Sequence, residues 1–155
     1  MTKDKLRKKY IEKRIALSAQ EVLQKSSAIF KNLQKIEKLH GIKSASVYIA
    51  FGNEVDTTSI VKKLNTDGVS VHVPKYLRGK WTLGKKGFDI AILPGVAFDT
   101  RGVRLGYGKG VYDKLLAKSR AIKIGLAYDF QITDKLPKEK HDLVMDYVVT
   151  EKRII

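Results

Sequence analysis

Apolar positions at Leu6, Tyr10, Ile11, Ile15 and Ala16 recur near helical spacing and predict a helix over residues 3–16. Ser18 with Glu21 three residues later has the form of a capping box, opening a second helix. Its stripe runs through Val22, Leu23, Ile29, Phe30, Leu33, Ile36 and Leu39, and His40-Gly41 ends it. Glycine suits a left-handed C-cap, and His40 reads as a last-turn residue facing the negative helix end. The period then changes. Residues 46–51, 69–73 (closed by Pro74), 90–93, 122–127 and 147–150 read as strands, with 81–83 as a short edge strand. Helices are expected over 58–64 and from 111 to 118. Strands alternating with helices predict an α/β fold: an open, mostly parallel sheet with helices on both faces, preceded by two N-terminal helices. No repeat or low-complexity tract interrupts the pattern, and 155 residues fit one domain spanning 1–155.

Between the strand at 90–93 and the helix at 111 lies the densest chemistry in the chain. Residues 94–113 hold five glycines, two arginines, one lysine and two aspartates. A glycine-dense turn between a strand and a helix leaves backbone N–H groups free to point outward, at the end of a helix that favours anions. With Arg104 and Lys109 added, it becomes a candidate polyphosphate cradle: arginine clamps phosphate oxygens in pairs, and lysine neutralises as a point charge. The segment has neither the Walker A spacing nor the dinucleotide fingerprint. Asp113 suits Mg²⁺ beside phosphates or, equally, a first-turn carboxylate facing the helix dipole. Because ligands of open α/β sheets bind outside the carboxyl ends of the strands, this loop stands where a site is expected.

Composition narrows the classes further. The chain has no cysteine, which excludes disulfides, zinc–thiolate sites and cysteine nucleophiles. Its apolar runs fall far short of the ~18 residues a membrane span needs. The N-terminus lacks a signal-type apolar core, so a cytoplasmic location is expected. The net charge is +15, of which +8 falls in residues 1–43. That excess suits polyanionic ligands, nucleic acid among them, although a solvated lysine-rich surface explains most of it.

The segment 94–113 closely resembles the signature of the 5-formyltetrahydrofolate cyclo-ligase family. The resemblance extends to residues 3–7 (Lys-Asp-Lys-Leu-Arg), 48–57 (Tyr-Ile-Ala-Phe-Gly-Asn-Glu-Val-Asp-Thr), 126–131 (Leu-Ala-Tyr-Asp-Phe-Gln), and an end block containing Leu136-Pro137, His141-Asp142, Asp146 and Thr150-Glu151. It implies ATP- and Mg²⁺-dependent closure of 5-formyltetrahydrofolate to 5,10-methenyltetrahydrofolate through a phosphorylated formyl group. Carried over by position, it puts ATP against Lys3, Arg7, Arg104, Leu105, Gly106 and Tyr107. The ATP set continues through Gly108, Lys109, Gly110, Val111 and Tyr112, with Lys109 and Arg104 as the catalytic cations. The folate would meet Arg7, Ile49, Glu54 and the loop residues Tyr107, Gly108, Lys109, Gly110 and Val111. Asp113, and secondarily Asp142, would hold the metal.

Each residue also has a plainer reading. Lys3 and Arg7 could be exposed helix charges, Ile49 is a strand core residue in either case, Glu54 could cap the following helix, and His141 reads as structural. The partners implied are ATP and a reduced folate, polyglutamylated or not, with a monomer expected and neither specific nucleic acid nor membrane. The chain departs from the family twice: the 75–88 stretch is short, and Val111-Tyr112 stands where paired tyrosines are usual. Tyr76 and Trp81 are left as aromatic walls of the site or as core. A basic nucleic-acid-binding module and an ATP-dependent enzyme with another acceptor are the alternatives.

Overall fold

The structure, a computed structural model, describes residues 1–84 and 87–155. The expected stretch 75–88 therefore falls partly, at Lys85 and Lys86, outside the described residues. Helix α1 (Lys3–Ile15) begins at Thr2, whose hydroxyl accepts from Lys5 N, and α2 (Ala19–Leu33) begins at Ser18, whose Oγ accepts from Glu21 N at 3.1 Å. The faces of both helices differ from the simple stripes. On α1, Ile15 is 61% exposed while Arg14 is 2% exposed. On α2, Leu23 is exposed and Ser26 is buried instead, its Oγ accepting from Asp56 N.

Helix α2 stops at Leu33, earlier than its stripe suggested. A 3-10 turn over Glu37–Leu39 then brings Ile36 and Leu39 onto the same core by a tighter step. His40-Gly41 closes that turn rather than α2, and His40 N donates to Glu37 O.

Strand β1 (Ser44–Val47) is followed by α3 (Thr58–Thr66), β2 (Ser70–His72), β3 (Lys75–Leu77), β4 (Lys80–Thr82) and β5 (Ile90–Leu93). Then come β6 (Ala97–Asp99), β7 (Arg104–Leu105), α4 (Val111–Leu115), β8 (Ile122–Leu126), β9 (Ile132–Thr133) and β10 (Tyr147–Val149). The main sheet has the order β10-β8-β5-β1-β2 and is parallel throughout. In β5, Ile90 and Ile92 face α2 and α3, whereas Ala91 and Leu93 face α4 and the smaller sheet β7-β6-β9. A strand buried on both faces reads as a continuous apolar run, which is why this one was legible. Where the small sheet meets the main one, Phe98 packs against Gly125. A Cβ there would come within 2.4 Å of its ring, so only glycine permits the approach. Helix α1 lies on β6, with Tyr10 among Val96, Val103, Leu105 and Leu136.

Three sequence expectations change. The strand predicted at 46–51 ends at Val47, and Ile49 is 72% exposed, not core. Beyond Val47 the backbone is fastened into a loop instead: Tyr48 Oη donates to Val55 O, and Thr57 Oγ1 donates to Tyr48 O. The helix from 111 ends at Leu115 rather than 118. The strand expected at 81–83 is half of a separate hairpin, β3–β4, that pairs Tyr76 with Trp81 across a turn in which Arg78 and Gly79 both have positive φ. Both aromatics are largely exposed, at 61% and 46%, so neither is core.

The chain runs from β1 to β2 on one side and then places β5 on the other. The connections therefore diverge at β1, and a crevice opens over the carboxyl ends of β1 and β5. No helix among the described residues is long and apolar enough to cross a membrane.

Candidate active site

A cleft of about 780 Å³ lies over that switch point. The segment after β1 contributes Tyr48, Ile49, Phe51 and Glu54; the end of β2 gives Pro74, and the hairpin gives Trp81. The segment after β5 supplies Pro94 and the continuous wall from Arg104 to Asp113. The start of α1 adds Lys3 and Arg7, and the loop before β10 adds Glu139, His141 and Asp142. Every residue expected at the site from sequence lines this one cleft. Lys3 and Arg7 are not free helix charges: their side chains are only 22% and 19% exposed, and both reach across to other elements.

The glycine loop is held from two sides. Arg7 Nε donates to Gly106 O at 2.8 Å, tying α1 to the loop. Arg104 Nη1 donates to Pro94 O at 2.9 Å, and its guanidinium lies 5.4 Å from the Tyr112 ring centre. The Arg104 side chain is 6% exposed, and its Nη2 is 3.9 Å from Asp113 Oδ1. Burial pulls its pKa below the ordinary arginine value, an effect that Asp113 and Tyr112 only partly offset. Its Nε is a buried nitrogen with no hydrogen-bond partner among the described residues. A desolvated cation with an unsatisfied donor carries a cost that a bound anion would relieve. That observation, together with the glycine wall, fits a phosphate chain.

Glu54 does not cap α3. It is 3% exposed and turns into the cleft, where Oε1 accepts from Phe51 N at 3.1 Å and Oε2 accepts from Tyr107 Oη at 3.2 Å. Burial raises its pKa above that of an ordinary glutamate, against the opposing pull of Phe51 N–H, Arg14, Tyr107 and Arg104. The Tyr107 ring stacks on Phe51 with 5.4 Å between centres. Ile49, Phe51, Trp81 and Tyr107 thus form an apolar, aromatic rim beside a buried acceptor. Such a rim suits a flat heteroaromatic ring bearing N–H donors.

At the other end, Lys3 Nζ contacts Asp142 Oδ2 at 2.8 Å and Glu139 Oε1 at 3.4 Å. Burial opposes its charge, but these two carboxylates outweigh burial and hold its pKa above normal. Asp142 in turn sits below the usual carboxylate range: burial is outweighed by Glu139 N–H and Lys3. Ligand atoms of Glu139, His141 and Asp142 all lie within 4.8 Å of one another. The His141 side chain is 70% exposed, and its Nε2 is 3.2 Å from Glu139 Oε2. Asp113 opens α4, and its Oδ1 accepts from Leu143 N at 3.0 Å, which binds the loop before β10 to that helix. Hard carboxylate oxygens at this end of the cleft fit Mg²⁺.

Sequence reasoning missed Arg14. Its Nε donates to Gly52 O at 2.9 Å, Nη1 to Gly95 O at 3.4 Å, and Nη2 to Tyr107 Oη. The signal was present in the spacing of Lys3, Arg7, Tyr10 and Arg14, which share one face of α1 at steps of four, three and four residues.

A parallel α/β sheet with a cationic, glycine-walled cleft over its switch point defines a class, that of α/β enzymes for anionic and heteroaromatic ligands. The chain belongs to the 5-formyltetrahydrofolate cyclo-ligase family, whose profile matches residues 1–86 and 78–151. The mouse 5-formyltetrahydrofolate cyclo-ligase is 26% identical over 176 residues, covering 88% of this chain and 87% of its own. Among solved structures, the Aquifex aeolicus 5,10-methenyltetrahydrofolate synthetase superposes with a TM-score of 0.83 at 31% identity, over 99% of this chain and 92% of that one. The Mycoplasma pneumoniae 5,10-methenyltetrahydrofolate synthetase gives 0.84 at 28% identity, over 97% and 99%.

Proposed function

We propose that this chain, working as one unit, closes 5-formyltetrahydrofolate to 5,10-methenyltetrahydrofolate at the expense of ATP. The observation that carries the reading is Arg104, a buried guanidinium with an unpartnered Nε in the wall of a glycine loop. Arg104, Lys109, Lys3 and Arg7 bind the triphosphate as cations, and the loop from Gly106 to Gly110 lets the phosphates approach its backbone. Glu54 accepts from the pterin N–H groups, while Ile49, Phe51 and Tyr107 flank the ring.

The chemistry asks for little beyond this. The formyl oxygen attacks the terminal phosphorus of ATP and ADP leaves. Nitrogen 10 then attacks the activated carbon and loses its proton, and the C–O bond breaks with release of inorganic phosphate. Phosphoryl transfer depends mainly on alignment and charge neutralisation, so no protein nucleophile is required. Mg²⁺, held by Asp113 and Asp142, supplies further neutralisation of phosphate charge.

Mixing the purified protein with ATP, MgCl₂ and 5-formyltetrahydrofolate should produce the near-ultraviolet absorbance of the methenyl product, with ADP formed in equal amount. ADP release that is indifferent to the folate would point to another acceptor. No absorbance change from folded protein would refute the reading.

A further inference from the structure

Arg14 is buried at the wrong end of α1 to touch phosphate, and nothing in the reaction above uses it. Its three donors instead reach the backbone after β1 at Gly52, the backbone after β5 at Gly95, and the hydroxyl of Tyr107. Its guanidinium also lies 5.7 Å from the Tyr107 ring centre. The same two backbone segments are fastened back onto it. Asn53, held at φ 60, donates through Nδ2 to Arg14 O, Ile15 O and Leu17 O at 3.0–3.2 Å, closing the C-terminus of α1. Gln131 Nε2 shares the Gly95 carbonyl at 3.0 Å. Arg14 is thus the point where α1, the β1 segment and the β5 segment meet.

The hydrogen-bond directions through Tyr107 are fixed by this arrangement. Arginine has no acceptor, so the hydroxyl must accept from Arg14 and has its own hydrogen left for Glu54 Oε2. The order is Arg14 to Tyr107 to Glu54, with a cation at one end and the pterin acceptor at the other. The arrangement places the Tyr107 ring against Phe51 and leaves Glu54 in a defined position beside it.

We propose that Arg14 is a positioning residue for folate: through the Tyr107 hydroxyl it sets the Glu54 carboxylate and the Tyr107–Phe51 ring pair that receive the pterin, while contributing little to ATP affinity. This rests on reading Glu54 as the pterin acceptor. Tyr107 belongs to the glycine loop, so the relay also gives that loop a fixed edge at the folate side, whereas Arg7 and Arg104 fix it at the phosphate side. The charged and titratable groups facing Glu54 are Arg14 from α1, Arg104 and Tyr107 from the β7 segment, Tyr48 from the end of β1, and Tyr112 from α4. Of the two cations, Arg14 is the one joined to it through a hydrogen-bonded hydroxyl.

The test is a double-mutant cycle on intact protein, read by calorimetric titration with 5-formyltetrahydrofolate and, separately, with a non-hydrolysable ATP analogue in MgCl₂. Arg14→Lys keeps a charge but cannot serve three acceptors in fixed directions; Tyr107→Phe removes only the relaying hydroxyl. Each should weaken folate binding by about tenfold, as for a lost charge-assisted bond, with the ATP analogue held within about twofold. Combined, they should cost about the same as either alone, because both break one relay. Losses that multiply to about a hundredfold, or folate and nucleotide affinity falling together, would overturn the proposal. If Arg14→Lys does not fold, Tyr107→Phe alone decides: a folate-selective loss supports the relay, and equal losses or none overturn it. Failure of the parent protein to bind 5-formyltetrahydrofolate would instead remove the proposed function on which this rests.

Discussion

Two glycines of the glycine loop have left-handed backbone but different surroundings, and that difference makes a sharp prediction. Gly110 has φ 63, and a Cβ built there would meet nothing within 4 Å. Gly108 has φ 98, further from the region an L-residue tolerates, and its Cβ would lie 3.2 Å from Arg7 Cζ and 3.4 Å from both terminal nitrogens. Alanine at 110 therefore pays only the conformational penalty, about 1–2 kcal/mol. Alanine at 108 pays at least that and must also push the Arg7 guanidinium away, threatening its bond to Gly106 O. A hydrogen bond from a charged group is worth about 1.5–3 kcal/mol, giving a total of about 3–5 kcal/mol before relaxation. With partial relaxation, Gly108→Ala should lower kcat/KM for ATP by about 10²–10³, and Gly110→Ala by about tenfold or less. The assay is initial-rate formation of the methenyl chromophore over a range of ATP, with circular dichroism to show that both variants fold. Equal damage at the two positions, or near-parental activity of Gly108→Ala, would refute the reasoning that links Arg7 to the loop.

Other perturbations separate roles within the same cleft and at one buried carboxylate outside it. Lys109→Ala should raise KM for ATP by about tenfold or more without lowering the melting temperature, since the residue is exposed and faces phosphate in this account. Asp113→Asn should raise the Mg²⁺ concentration needed for half-maximal activity while the fold survives, because an amide oxygen can still accept from Leu143 N; an unchanged metal requirement would return Asp113 to a purely structural role. The folded pKa of Glu54 is raised, so its contribution to stability is full below the unfolded value and is lost as pH rises through the folded one. Glu54→Gln should therefore melt no lower than the parent at pH 7 yet lose folate binding, and a large fall in melting temperature would contradict this. Asp99 behaves oppositely. It is fully buried, and bonds from Leu136 N, Arg101 and Val103 N outweigh burial to hold its pKa low. Its contribution is present above the unfolded pKa and lost as pH falls through the folded one. Asp99→Asn should cost about 3 kcal/mol in denaturant titration at pH 7 and flatten the acid limb.

What was legible in the sequence follows from how far each signal reaches. Ile90-Ala91-Ile92-Leu93 announced itself because both faces of a central parallel strand are buried, and the adjoining glycine loop because its composition is extreme. Strands β6, β7 and β9 were not legible: two or three residues are too few to show a period, and what makes them strands is pairing with one another rather than their own sequence. Ile49 misled because an apolar residue continuing a strand looks like core. Its exposure follows from Tyr48 and Thr57, whose bonds fold the backbone away from the sheet. Arg14 was hidden by its type. Arginine on a lysine-rich helix reads as surface, and only the three carbonyl and hydroxyl acceptors brought to it by distant segments make its burial tolerable. The residues expected at the site, by contrast, all line one cleft, since each lies within a short block carrying its own motif and the parallel topology gathers those blocks at one end of the sheet.

The position of the bound ligands is the most direct test. A crystal structure of the protein grown with ADP, MgCl₂ and 5-formyltetrahydrofolate should place the phosphates along residues 104–112, with Arg104 Nε donating to an anionic oxygen and the pterin against Glu54. A nucleotide found elsewhere, for instance in the basic groove at the opposite end of the sheet lined by Lys38, Lys43 and Arg120, with the switch-point cleft left to solvent, would contradict it.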